Sequence, residues 1–125
     1  MGQVSGVRLL LDTNVVIGYL DGREPVRQLM ERHDAVPAIS AISQISRIEL
    51  LSFHALSKDD EHRILALLSA VQVILIDEGI ERETIALRRR TRLKLPDAVI
   101  AATARVNGLE LLTLDERLNA AWAAG

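Results

Sequence analysis

Four acidic residues are the side chains of this sequence best placed to do chemistry: Asp12, Glu49, Asp97 and Asp115. Asp12 and Asp115 each directly follow a predicted buried strand, and in open α/β sheets ligands bind at the carboxyl ends of the strands. Glu49 and Asp97 lie in the first or second turn of predicted helices that can face the same crevice. Clustered carboxylates repel one another unless a cation joins them, and Mg²⁺ prefers oxygen ligands. The pattern therefore indicates metal-assisted hydrolysis of a phosphodiester.

Composition removes most other catalytic chemistries. The chain has no cysteine, which excludes disulfides, thiolate zinc sites and a cysteine nucleophile. Its histidines, His33, His54 and His62, show no spacing typical of a metal site. A net charge of −2 and 2% aromatic residues exclude a polycation that grips nucleic acid everywhere and a platform that stacks bases.

Size and hydropathy predict one globular domain over residues 1–125. Hydrophobic residues make up 49% of the chain, enough to build a core. No apolar run reaches the ~18 residues of a membrane span. The N-terminus lacks the order of charged, apolar and small residues seen in signal peptides, so we expect a cytoplasmic protein without membrane contact.

Short aliphatic strands alternate with helices along the chain. The predicted strands are Val7–Asp12, a segment around Ala38–Ser40, Val71–Ile76 and Leu109–Leu114. Seven helices are predicted. The first is capped by Asn14, the next two begin near Pro25 and Ser43, and the fourth spans Asp59–Ala70. The fifth carries Glu78 in its early part, and the last two open at Pro96 and at Asp115. The alternation predicts an α/β sandwich with a mostly parallel sheet.

Each acid also has a purely structural explanation. Asp12 and Asp115 would serve as helix caps, and Asp97 would stabilise a helix dipole. If its helix starts at Ser46, then Ser46 and Glu49 form a capping box. Asp12 is the hardest to dismiss, because a carboxylate ending a run buried on both faces needs a partner or a metal.

The four acids lie in segments that together resemble the motifs of PIN-domain ribonucleases: LLLDTNVVIGYL, SRIELL, LKLPDAVIAATA and LLTLD. Within that family the chain is most similar to VapC-like toxins of toxin–antitoxin pairs, from Leu9 to the terminal helix. The resemblance implies a three-layer α/β/α sandwich with a mostly parallel sheet of four or five strands. It also implies a Mg²⁺- or Mn²⁺-dependent endoribonuclease, a homodimer and inhibition by a cognate antitoxin.

Carried over by position, the resemblance makes the four acids the metal ligands and adds supporting polar residues. Asn14 and Thr113 match positions that hold the acids by hydrogen bonds, and Thr13 fits the polar turn after the first acid. Many relatives carry a further acid and then an aromatic residue after the fourth acid. This chain has Glu116, Arg117 and Leu118 there, and a shifted pairing would enlist Glu116.

A basic run, Arg88–Lys94, precedes Asp97 along the chain. In one interpretation, Arg92 and Lys94 hold RNA phosphates near the acids. In the alternative, the run is a solvated helix end whose positive charges are stabilised by the helix dipole.

Other classes fit the sequence less well. A haloacid-dehalogenase-like site needs Asp-x-Asp after its first strand, but Asn14 replaces the second acid. A receiver domain needs a lysine after its last strand, which LLTLDER lacks, and there is no P-loop motif. The remaining alternative is a PIN-like binding scaffold without catalysis, which would not require a divalent metal.

Overall fold

The computed structural model describes residues 6–124, so residues 1–5 and 125 of the predicted domain lie outside the described part. The strands are β1 (Leu9–Leu11), β2 (Ser40–Ser43), β3 (Gln72–Ile74) and β4 (Glu110–Leu112). The helices are α1 (Thr13–Leu20), α2 (Glu24–Arg32), α3 (Gln44–Leu51), α4 (Lys58–Ala70), α5 (Glu78–Arg90), α6 (Leu95–Val106) and α7 (Glu116–Ala124). All strand pairs are parallel, in the order β3-β2-β1-β4. The predicted three-layer α/β/α sandwich, with a four-stranded parallel sheet, is confirmed.

The side chains of β1 alternate between two apolar cores, one on each face of the sheet, because successive strand residues point to opposite faces. Leu9 and Leu11 pack into a core with α1, α2 and α4, and Leu10 into a core with α5 and α6. The aliphatic run is therefore buried on both sides, as its sequence predicts. No helix within residues 6–124 is both long and apolar enough to cross a membrane.

The second strand lies further along the chain than predicted. The predicted strand around Ala38–Ser40 exists but begins only at Ser40, because a 3₁₀ turn occupies Pro37–Ile39 and β2 follows it. Proline lacks an amide hydrogen for the sheet and has a fixed φ, which suits the start of such a turn. The strand was hard to predict because it begins and ends with buried serines, Ser40 and Ser43. The Ser40 hydroxyl donates to the Val36 carbonyl, and the Ser43 hydroxyl accepts from the Ile45 amide.

The starts of two helices bear on the acids, and one of them differs from expectation. Helix α1 begins at Thr13, so its N-cap residue is Asp12 and not Asn14. Helix α3 begins at Gln44 with Ser43 as its N-cap, as the predicted start at Ser43 implied. Since α3 starts two residues before Ser46, the capping-box interpretation of Glu49 is wrong.

The sheet order creates a crevice at the carboxyl ends of β1 and β4. The chain leaves β1 for β2 on one side and later returns to place β4 on the other side of β1. Such a reversal of strand order is where open α/β sheets bind ligands. The Asp12 amide donates to the Leu112 carbonyl at 3.0 Å, so Asp12 and Thr113 leave the sheet side by side.

Candidate active site

Asp12 is a buried carboxylate at the end of β1. The residue is 4% exposed, and its Oδ2 accepts a hydrogen bond from Thr113 Oγ1 at 2.7 Å. Its side chain does not cap α1, although the residue occupies the N-cap position. Burial raises the pKa of Asp12, and the negative charges of Asp97 and Asp115 raise it further against the opposing Thr113 hydrogen bond. The Thr113 hydroxyl therefore holds the carboxylate in place, and no Lys, Arg or His of residues 6–124 forms an ion pair with it.

Glu49 is fixed by a relay of two hydroxyl groups. Thr13 Oγ1 lies 2.7 Å from Glu49 Oε1 and 2.7 Å from Ser46 Oγ. Because an ionised carboxylate can only accept hydrogen bonds, the Thr13 hydroxyl donates to Glu49 and the Ser46 hydroxyl donates to Thr13. Ser46 is fully buried and Thr13 nearly so. The first turn of α1 thereby orients a carboxylate in the second turn of α3.

Asp97 lies in the first turn of α6, behind Pro96, and is partly buried. Burial raises its pKa, and the charges of Asp115 and Glu49 raise it further. Lys94 and Arg117 oppose this shift. Asp97 is thus the residue on which the acids and the neighbouring cations act together.

Asp115 has the helix-capping role that the sequence left as one of two alternatives. Its Oδ1 accepts from the backbone amides of Arg117 at 2.9 Å and Leu118 at 3.1 Å, which caps the start of α7. Its charge also acts on both Asp12 and Asp97. Glu116 is exposed in the first turn of α7, and its charge is not among the causes of those two pKa shifts.

Thr113 links the first and fourth acids. Its hydroxyl donates to Asp12 and accepts from the Asp115 amide at 3.0 Å. Thr113 and Thr13 thus both contact acids, where the sequence placed supporting residues. Asn14 is exposed and makes no side-chain hydrogen bond within residues 6–124, so it holds no acid in this structure.

The four acids lie at one edge of the sheet, but their side chains do not converge on one common point. Within the described residues, no three acidic or histidine side chains lie close enough to hold a metal ion in their present positions. The donor set nevertheless suits a hard cation, because it consists of carboxylates alone and two of them have raised pKa values. Burial is the main cause of the raised pKa values, and the repulsion between the acids, which adds to it, is what a divalent ion would offset.

A polar pocket of about 190 Å³ opens beside Asp97 and Asp115. It is lined by Arg92, Leu93, Lys94, Asp97, Asp115 and Arg117. The predicted pair Arg92 and Lys94 therefore lies next to two acids. Sequence reasoning missed Ser46 and Arg117 as site residues. Ser46 was visible only as part of a capping box, and Arg117 only as a departure from the fourth motif.

The chain belongs to the PIN domain family, whose family model matches residues 9–122. It is similar to a chain of a toxin–antitoxin complex from Klebsiella pneumoniae, with 37% identity, a TM-score of 0.73 and 86% of each chain covered.

More distant structures share the fold. A chain of the DNA-bound VapBC complex from Salmonella typhimurium has 20% identity and a TM-score of 0.67, covering 82% of this chain and 83% of that one. FitAcB from Neisseria gonorrhoeae has 22% identity and a TM-score of 0.69, covering 92% and 93%. Curated proteins gave no match.

Proposed function

We propose that this protein is an endoribonuclease that hydrolyses RNA phosphodiester bonds with Mg²⁺, or Mn²⁺ in its place. The observation that carries the proposal is the electrostatic coupling of Asp12, Glu49, Asp97 and Asp115 at one edge of the sheet. Membership of the PIN domain family supports it. The carboxylate donors match the ion, and the crevice lies where α/β sheets bind ligands.

Each residue of the site has a defined task in this proposal. Asp12 and Asp97 would be the principal ligands of a divalent ion, with Glu49 and Asp115 completing the acidic set. Such an ion, when bound, would activate the attacking water and stabilise charge on the leaving oxygen. Thr113 holds Asp12, and the relay from Ser46 through Thr13 holds Glu49, so the carboxylates keep their orientation as the substrate binds.

We further propose that the protein is the toxin of a toxin–antitoxin pair, acts in the cytoplasm and is inhibited by a cognate antitoxin protein. The similarity to the Klebsiella pneumoniae complex supports this partner. A homodimer is proposed as well, because aliphatic and aromatic side chains such as Ile48, Leu51 and Phe53 remain exposed. Light scattering at micromolar concentration tests it, and a strictly monomeric protein would contradict the dimer alone.

A catalytically inert binding scaffold is the second candidate. One observation favours it, namely that no three acids within residues 6–124 converge to metal-binding distance. The raised pKa values of Asp12 and Asp97, caused first by burial and then by the neighbouring acids, favour the enzyme, since a scaffold gains nothing from burying carboxylates close together.

RNA cleavage by the purified protein separates the two candidates. We expect single-stranded RNA to be cut with Mn²⁺ or Mg²⁺ and to stay intact in EDTA. Asp12→Asn should lower the rate by more than ~100-fold, the upper end of the loss seen when a supporting residue of a metal site is removed. Asp59→Asn is the matched control, because Asp59 is an exposed acid in the first turn of α4. A folded Asp12→Asn protein as active as Asp59→Asn would overturn the assignment of the active site. A wild-type protein that cleaves no RNA would leave the binding scaffold as the remaining candidate.

A further inference from the structure

The pocket beside Asp97 has a basic side that the proposed hydrolysis does not explain. Three of its lining residues are cations, Arg92, Lys94 and Arg117, against the two carboxylates of Asp97 and Asp115. All three cations are exposed. Within residues 6–124, none of them forms an ion pair, since no side-chain nitrogen of the three lies within 4.0 Å of a carboxylate oxygen. Three positive charges are therefore concentrated around the pocket, and none of them is held in a direct ion pair with an acid.

The backbone that carries these cations is anchored at both sides of the pocket. Arg92 and Lys94 flank Leu93, which is buried in the core, and the Leu93 amide donates to Thr91 Oγ1 at 3.3 Å. Arg117 follows β4 in the first turn of α7, where its amide donates to Asp115 Oδ1. The positions of the three cations are thus set by core packing and a helix cap.

Repulsion among unpaired cations favours an anion between them. A guanidinium group offers a planar fork of donors that matches two phosphate oxygens, which an ammonium group cannot do.

We propose that Arg117, with Arg92 and Lys94, forms a subsite that binds a phosphate group of an RNA strand beside the acidic centre. The inference rests on the proposed nuclease function and adds the residues on one side of the site that would hold the substrate. In this arrangement the acids would hold the divalent ion beside the phosphodiester that is cut, and Arg117 contacts a phosphate group of the same strand.

Affinity for a labelled single-stranded RNA dodecamer, measured by fluorescence anisotropy in EDTA, tests the subsite without requiring cleavage. We expect Arg117→Ala to weaken binding about 5- to 20-fold and to reduce the slope of log affinity against log salt concentration by about one. Arg117→Lys should restore part of the affinity, since the charge returns without the fork. Arg32→Ala is the matched control, because Arg32 is an exposed arginine at the end of α2, outside the pocket.

The outcomes distinguish the subsite from the nuclease. Equal affinity and equal salt slope for Arg117→Ala and Arg32→Ala would overturn the subsite, even if the wild-type protein cleaves RNA. A wild-type protein that never cleaves RNA, but whose Arg117→Ala variant alone loses affinity, would overturn the nuclease and support the subsite.

Discussion

The Thr13 hydroxyl links the Glu49 carboxylate to the buried Ser46 hydroxyl. Its removal should therefore disturb the site more than the removal of an ordinary buried hydroxyl. In Thr13→Val the buried Ser46 hydroxyl loses its acceptor, which costs about 1–3 kcal/mol of folding stability. Glu49 also loses its donor, and we expect RNA cleavage to fall about 10- to 100-fold. Urea unfolding and cleavage rates with Mn²⁺ measure the two effects.

Thr84→Val is the matched control for this substitution. Thr84 is also a buried threonine, but its hydroxyl donates to the Ile80 carbonyl within α5. It should therefore leave cleavage unchanged. Equal cleavage rates for the Thr13 and Thr84 variants would show that the relay does not position Glu49.

Residue types identify the acids more readily than the groups that hold them. Asp12 and Asp115 stand out in the sequence because each follows an aliphatic run. The partner of Thr13 is Ser46, 33 residues away, and no local pattern contains that contact. Asn14 matched a family motif, yet the start of α1 at Thr13 leaves its side chain exposed.

Elements were predictable where capping residues mark their ends. Pro25 and Pro96 fall in the first turns of α2 and α6, and Ser43 caps α3, as the sequence indicates. The second strand was misplaced because its ends are serines, whose burial depends on neighbours far along the chain. The order of the strands in the sheet could not be predicted either, because it depends on which strands pair and not on the residues within each strand.

At the level of elements, Gly18 sets how closely α1 approaches α2. A Cβ atom at this position would lie 2.4 Å from a methyl carbon of Val26, which is itself buried. We expect Gly18→Ala to destabilise the protein by about 1–3 kcal/mol from overpacking, although alanine favours a helix over glycine by ~1 kcal/mol. Urea unfolding provides the measurement.

A double-mutant cycle with Val26→Ala identifies the cause. Removing the Val26 methyl groups should make Gly18→Ala neutral or stabilising, because the 2.4 Å contact is gone, the Cβ atom that remains lies 3.2 Å away, and helix propensity still favours alanine. Additive losses in the double variant would contradict packing between α1 and α2 as the reason for glycine.

At the scale of the whole molecule, folding assembles a cluster of charges that the unfolded chain keeps apart. Thr113 and Asp12 are 101 residues apart in sequence, so their contact exists only in the completed sheet. The pKa of Asp97 is raised in the folded protein, so its ionised form is disfavoured there. Its contribution to stability is present below the ordinary pKa of 3.8 and is lost as pH rises through the raised value. The metal-free protein therefore carries a local destabilisation at neutral pH.

Thermal unfolding of wild type and Asp97→Asn at neutral pH, each in EDTA and in Mn²⁺, tests most directly whether the acids form a divalent-cation site. An ion that binds only the folded state stabilises it by about 2.7 kcal/mol at a hundredfold excess over Kd. We expect Mn²⁺ to raise the wild-type Tm and monovalent salt of matched ionic strength to raise it far less. Asp97→Asn should raise the Tm in EDTA, because a repelled charge is gone, and should blunt the rise with Mn²⁺, because a ligand is gone. A wild-type Tm indifferent to millimolar Mn²⁺ would contradict the metal site.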